Sequence, residues 1–240
     1  MSEIFENSDK EAYASALSAL NERDVPYMLG GAFAVYHYSG WLRHTHDMDV
    51  YLTPDSVDDA IHALLSAGFT DIGEQAEGDA DWIYHAAKGP IIVDLIWRFA
   101  NLVEYITPGW FNRASRGEFL GLPALFLPLE ELIWIKSFVV NRHRCDWPDI
   151  FKIVQVQCSN IDWDRLVSLL SLDVLLLAAI SDVFDWLRPD LRDCIPERAR
   201  REFDKARQSG IAPPPDVNRE RLLDPWIHLR ADSCETRRDE

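Results

Sequence analysis

The sequence predicts an α+β protein, with a mixed β-sheet and its packed helices over residues 1–127 and a helical part over residues 128–240. Three observations predict it. Short apolar runs alternate with helical periodicities as far as Phe126. Two of those runs, "DWIYHAA" and "GPIIVDLIW", follow each other across a Lys-Gly-Pro turn, which mixes a hairpin into a strand–helix pattern. Beyond Pro128 almost every pattern has helical spacing. Hydrophobic residues make up 48% of the 240, enough for a substantial core and too many for global disorder.

The elements follow in order. Tyr13, Ala16, Leu17 and Leu20 recur at helical spacing and place a first helix over about residues 8–20. "VPYMLGG" reads as a strand running into a tight turn, and "AFAVYHYSG" as a helix closed by Gly40. "DMDVYL" is a strand. In "TPDSVDDAIHALLSAGF", Pro54, the first-turn acids and Gly68 punctuate a helix. After the hairpin, one more strand or extended segment is expected over about Glu118 to Phe126. The helical part then holds "PLEELIWIKSFVVNRHRCDWPDIFKIVQ", "WDRLVSLLSLDVLLLAAISDVFDWL" and "PERARREFDKARQSG". "IAPPPD" breaks it, and a disordered tail is expected to end it at "ADSCETRRDE".

Composition narrows the function. A formal net charge of −16 argues against a chain whose task is to wrap nucleic acid. It leaves a nucleotide substrate open, because a divalent cation inverts the local charge. The longest uninterrupted apolar candidate, Val174 to Ile180, is too short to cross a bilayer, and "MSEIFENSDKEAY" is unlike a secretory signal, so a cytoplasmic chain without a membrane partner is expected. Cys145, Cys158, Cys194 and Cys234 are scattered without CxxC pairing, and free thiols are expected.

Chemistry concentrates in "LRHTHDMDVYL". Residues two apart on a strand project to one face, so Asp47 and Asp49 point together while Met48 and Val50 point away. Adjacent carboxylates repel unless a cation lies between them, and Mg²⁺ accepts carboxylate oxygens while bridging phosphates. An isolated DxD is a weak signal, as readily a turn or cap cluster as a metal site. Two further features add weight. Gly30 and Gly31 mark a strand-to-helix turn where backbone N–H groups can approach a phosphate. Asp94 stands alone in "IIVDLIW", where a buried acid needs a partner or a metal; the bland alternative is an edge strand with Asp94 facing water.

The stretch "LGGAFAVYHYSGWLRHTHDMDVYL" resembles the nucleotidyltransferase fold superfamily (polymerase beta-like), whose GG…DxD signature precedes a third Asp on a later strand. Its GG…RxTxDxD form is most similar to the branch of AbiEii-type toxins and related minimal nucleotidyltransferases. Gly30, Gly31, Arg43, Thr45, Asp47 and Asp49 lie on that pattern, and Asp94 matches the third acid. Phe33 departs from it, standing where the branch reads alanine. "PLEELIWIKSFVVNRHRCDWPDI" is similar to the family's lysine-bearing helix and the R-x-D-x-x-D-I segment after it; the resemblance covers about residues 25–157.

That resemblance implies a Mg²⁺-dependent enzyme that moves a nucleoside monophosphate from a nucleoside triphosphate, such as ATP, to a hydroxyl acceptor. It implies two metal ions, with Mn²⁺ able to substitute, on Asp47, Asp49 and Asp94, the last also activating the acceptor hydroxyl. Gly30, Gly31, Arg43, Thr45 and Lys136 are then candidates for the triphosphate, while Arg43 and Lys136 read equally well as salt-bridge residues. Asp146 and Asp149 are expected to orient helices or basic neighbours such as Arg142 and Arg144. The acceptor is a small molecule, a protein or RNA, with net charge disfavouring a long nucleic acid, and a toxin-like member would carry an antitoxin-like protein partner.

Three other readings compete. His44 and His46 could be metal ligands, but Met48 and Asp49 break the HxHxDH pattern, and His37, His62, His85, His143 and His228 are dispersed. A DxD glycosyltransferase accounts for Asp47 and Asp49, not for the glycine pair and Asp94 together. A catalytically inactive nucleotide- or partner-binding module of the same fold would keep all of these residues.

Overall fold

A computed structural model of the chain describes residues 6–73, 81–99, 104–140 and 144–209. They form two compact units, divided between Leu132 and Ile133, a few residues beyond the composition change at Pro128. The expected tail and Cys234 lie outside the described residues.

The first unit is an α+β sandwich built on one mixed sheet. Helix α1 (Asn7–Glu22) buries Tyr13, Ala16, Leu17 and Leu20, the stripe its periodicity marks. Strand β1 (Met28–Leu29) leads into α2 (Gly31–Ser39), which stops at Gly40 in the left-handed conformation, with φ 70°. Strand β2 (Asp47–Tyr51) follows, then α3 (Val57–Ser66), β3 (Thr70–Asp71), β4 (Ile83–Lys88) and β5 (Ile91–Ile96). A short helix, α4 (Pro108–Phe111), precedes β6 (Ser115–Phe119) and β7 (Leu122–Phe126). The sheet order is β3-β4-β5-β2-β1-β7-β6, with β2–β5 and β1–β7 parallel and the other pairs antiparallel.

The single strand expected over Glu118 to Phe126 is instead a hairpin. Leu120 (φ 53°) and Gly121 (φ 78°) turn the chain back on itself. A leucine in that conformation gives no turn signal, which leaves Gly121 as a lone mark of the break.

One face of β2 and β5 is core. Met48, Val50, Val93 and Leu95 are fully buried, and α1 and α3 pack against β5. Phe33 has a place here. Its ring centroid lies 5.1 Å from Tyr13 and 4.3 Å from Phe119, so one aromatic cluster joins α1, α2 and β6. The residue that departs from the family pattern thus fills space between three elements, and α2 still begins directly at Gly31. The last element of this unit starts α5 (Leu129–Ser137), where the fully buried Glu131 accepts from Arg113 Nε (3.1 Å) and Nη2 (2.5 Å).

The second unit is helical, with the end of α5, α6 (Trp147–Gln157), α7 (Trp163–Leu170), α8 (Val174–Leu187) and α9 (Glu197–Ser209). Ile133, Ile150, Val154, Leu166, Leu177, Ile180, Phe184 and Ile195 are its buried apolar centre. Trp163–Leu187 is, by length and composition alone, long and apolar enough to cross a membrane, with a mean hydropathy of 2.1 over an 18-residue window, which corrects the expectation that no stretch is. It is not one continuous helix. Ser171 takes a φ of 48° between α7 and a 3-10 turn that leads to α8, and Leu166, Leu170, Leu177, Ile180 and Phe184 lie in this unit's core.

Cysteine usage also differs from expectation. Cys158 and Cys194 form a disulfide, while Cys145 is a free, exposed thiol. The pair ties the end of α6 to the 3-10 segment Pro189–Cys194, an approach set by helix packing and therefore unreadable from spacing.

Candidate active site

The candidate site is a row of polar residues on the face of the sheet opposite that core. In the parallel pairing of β2 with β5, Asp49 stands directly beside Asp94 and Asp47 beside Ile92. In the antiparallel pairing of β5 with β4, Asp94 faces His85. In-register neighbours project to the same side of a sheet. Asp47 is exposed and Asp49 half-buried, while Met48 and Val50, their alternates, are buried. Strand register therefore places all three acids on one face of the sheet.

The glycine pair closes the row. Gly30, just past β1, donates its N–H to the Asp49 carbonyl at 2.9 Å. Gly31 starts α2 with φ +50°, a conformation that L side chains rarely adopt. A Cβ on Gly31 would overlap Asp49 Oδ2 and lie 2.6 Å from its Cγ. On Gly30 it would meet the Tyr51 ring, with Cδ2 at 2.6 Å. Both glycines are thus demanded by close approach, and Gly31 packs against the Asp49 carboxylate itself.

Thr45 is buried and tied to the backbone where β2 begins. Its hydroxyl accepts from the Asp47 N–H and donates to the Asp47 carbonyl, each at 3.3 Å, while Tyr13 caps the Thr45 carbonyl at 3.1 Å. It sets the path into β2. Arg43 is half-buried in the same connecting segment. His44 and His46 are exposed with their rings edge to face, centroids 4.5 Å apart.

Electrostatics mark Asp94. Burial pushes its carboxyl from 3.8 up to about 6; the charges of Asp49 and Asp47 add to the rise, and the bond to His85 opposes it. His85 Nδ1 lies 2.7 Å from Asp94 Oδ1. In sequence His85 stands among several dispersed histidines. Counting outward from the Gly89–Pro90 turn pairs it with Asp94, so the signal was present in the hairpin.

The donor set suits a hard cation. Carboxylate oxygens on one face, mutual repulsion among three acids, and a glycine cradle that keeps Asp49 in place fit Mg²⁺ or Mn²⁺ and do not suit a thiolate-preferring metal. Among the described residues no three His, Cys, Asp or Glu side chains are gathered as a finished ligand set. The acids share a face and would have to turn toward a common point.

Lys136, for which phosphate contact and an ion pair read equally well in sequence, is the centre of a buried ion-pair network in the helical unit. Its Nζ donates to Asp146 Oδ2 and Asp149 Oδ2, both at 2.7 Å, and Arg144 Nε donates to Asp146 Oδ1 at 2.8 Å. Burial alone would raise the Asp146 carboxyl, but Arg144 and Lys136 outweigh it and hold it below the usual range. Asp146 and Asp149 thus orient basic neighbours; Arg142 lies outside the described residues.

A family model described as an uncharacterised nucleotidyltransferase matches residues 11–177. The chain belongs to this nucleotidyltransferase family. Among solved structures, ANT(2")-Ia in complex with adenylyl-2"-tobramycin is similar over 74% of this chain and 99% of that one, at 16% identity and a TM-score of 0.51. Lincomycin-bound LnuA, a lincosamide antibiotic adenylyltransferase, matches over 61% of this chain and 95% of its own, at 14% identity and a TM-score of 0.45. JHP933 from Helicobacter pylori matches over 95% of both chains, at 14% identity and a TM-score of 0.44. At such identities the likeness to ANT(2")-Ia is one of fold. No curated protein matches the chain. The nucleotidyltransferase match covers the whole polar row, from Gly30 to Asp94, and runs into the helical unit.

Proposed function

We propose that this nucleotidyltransferase moves a nucleoside monophosphate from a nucleoside triphosphate to a hydroxyl acceptor, with Asp47, Asp49 and Asp94 holding the divalent cations. The observation that carries the reading is the β2–β5 register, which sets Asp49 beside Asp94 on the face away from the core. Bound Mg²⁺ would neutralise the triphosphate and stabilise the attacking and leaving oxygens of an in-line displacement. The chain's own residues do the rest. The backbone N–H groups that open α2 at Gly31 would meet phosphate, since the helix dipole there favours an anion. Arg43 adds a positive charge in the segment leading to the acids. Asp94, completing the cation site, would help activate the acceptor hydroxyl, whose proton passes to water. The new bond joins that oxygen to the α-phosphorus, the bond to the β-phosphate bridge breaks, and pyrophosphate leaves.

The acceptor class we favour is a small, hydroxylated, cationic molecule. A net charge of −16 attracts such a molecule and repels a polyanion. ANT(2")-Ia, which shares the fold, was captured with an adenylylated tobramycin. The reading is tested by Mg²⁺-dependent pyrophosphate release from each nucleoside triphosphate, with cell extract as acceptor source. Asp47→Ala/Asp49→Ala should abolish the signal, and an equal signal from both proteins sinks the assignment. Nucleotide binding without turnover across all acceptors would favour the inactive binding module.

A further inference from the structure

Asp94 has a partner that no step above uses. His85 lies on β4, opposite Asp94 in the hairpin register, with Nδ1 2.7 Å from Oδ1. The pair is largely shielded, with side-chain exposures of 23% for His85 and 16% for Asp94. A carboxylate on a strand can rotate about its last torsion, and one strong bond to a single oxygen removes most of that freedom. Asp49 lies on the opposite side of Asp94, across the β2–β5 pairing. The row across the sheet is therefore His85, Asp94, Asp49, with the imidazole at the end away from the other acids.

We propose that His85 is a positioning residue, whose imidazole pins Asp94 Oδ1 so that the remaining oxygen is presented toward Asp49 for a shared divalent cation. The proposal rests on the metal-binding role given above to the three acids. When Asp94 is ionised it only accepts hydrogen bonds, so His85 must carry its proton on Nδ1. The arrangement is that of an outer partner that orients a metal-binding carboxylate, and loss of such partners typically weakens metal affinity about 10- to 100-fold. A purely structural ion pair would instead leave the cation indifferent to the imidazole.

Mn²⁺ binding to the full chain without nucleotide, followed by electron paramagnetic resonance, separates the two. His85→Leu should weaken Mn²⁺ binding by about 10-fold or more. His85→Asn, whose amide restores a donor near the Nδ1 position, should recover most of it. In the transfer assay His85→Leu should raise the metal concentration for half-maximal rate, with a smaller change in KM for the nucleotide. Should His85→Leu fail to fold by circular dichroism, His85→Ser, which is too short to reach Asp94, carries the same expectation. Wild-type Mn²⁺ affinity in a folded His85→Leu or His85→Ser protein, with affinity lost in Asp94→Asn, overturns this proposal alone. Absence of Mn²⁺ binding by the wild-type chain overturns it together with the three-acid reading.

Discussion

Gly31 is the residue on which the site's geometry depends most. Its positive φ and the overlap that any Cβ would have with Asp49 act together, so Gly31→Ala must either strain the turn or displace the carboxylate. The backbone strain costs on the order of 1–3 kcal/mol. We expect Gly31→Ala to lower the melting temperature modestly and to reduce nucleotidyl transfer far more than the stability loss explains; unchanged kcat in a folded variant would contradict this. Asp94 makes a second prediction, in pH. Its folded pKa, about 6, lies above the ordinary 3.8, so its contribution to stability is fully present below the unfolded value and is lost as pH rises through about 6. Without metal, stability should fall between about pH 4 and 7 by on the order of 2–3 kcal/mol, melting temperature should fall with it, and Asp94→Asn should flatten that slope. Stabilisation by added Mg²⁺ should grow over the same window. A wild-type profile parallel to that of Asp94→Asn would show that the shift is absent.

At the scale of elements, strands and helices with ordinary punctuation were legible, and those held by unusual turns or distant contacts were not. Proline and glycine marked the ends of α2 and α3, and the Lys-Gly-Pro turn marked the β4–β5 hairpin. The β6–β7 turn is weakly marked because Leu120, and not a second glycine or an asparagine, takes the left-handed conformation before Gly121. Sequence leaves Lys136 open between phosphate and an ion pair for a related reason. A lysine on a helix looks the same in sequence whether it meets phosphate or two aspartates, and only packing brought Asp146 and Asp149 to its Nζ. The disulfide is the third case, and it is testable. Cys158 and Cys194 are 36 residues apart, and a loop of that length would stabilise the helical unit by about 3–4 kcal/mol through loop-closure entropy. Cys158→Ser should lower the melting temperature under oxidising conditions and lose that difference in dithiothreitol, while Cys145→Ser should behave as wild type. Failure to recover a Cys158–Cys194 peptide by non-reducing digestion would remove the basis for this.

At the scale of the whole molecule, the acid row was legible because a strand's two-residue period and a hairpin's symmetry are properties of sequence. What joins Asp49 to Asp94 is a parallel pairing, and no local signal specifies which strands become parallel neighbours. Net charge operates at this scale too. If the acceptor is cationic, the strongly acidic chain should steer it, and its KM should rise as salt is increased from about 50 to 300 mM, where screening shortens the reach of charge. A salt-independent KM would argue for a neutral acceptor. The parallel pairing also governs timing during synthesis. Strands β2 and β5 are separated in the chain by α3, β3 and β4, so the loop must close before their contact stabilises anything. A ribosome that has released β2 but not β5 holds a chain with two of the acids, an exposed apolar strand face and no Asp94 beside Asp49. Emergence of Ile96 therefore completes that part of the core and the row of three acids together, so the pairing that buries one face of β2 also assembles the other.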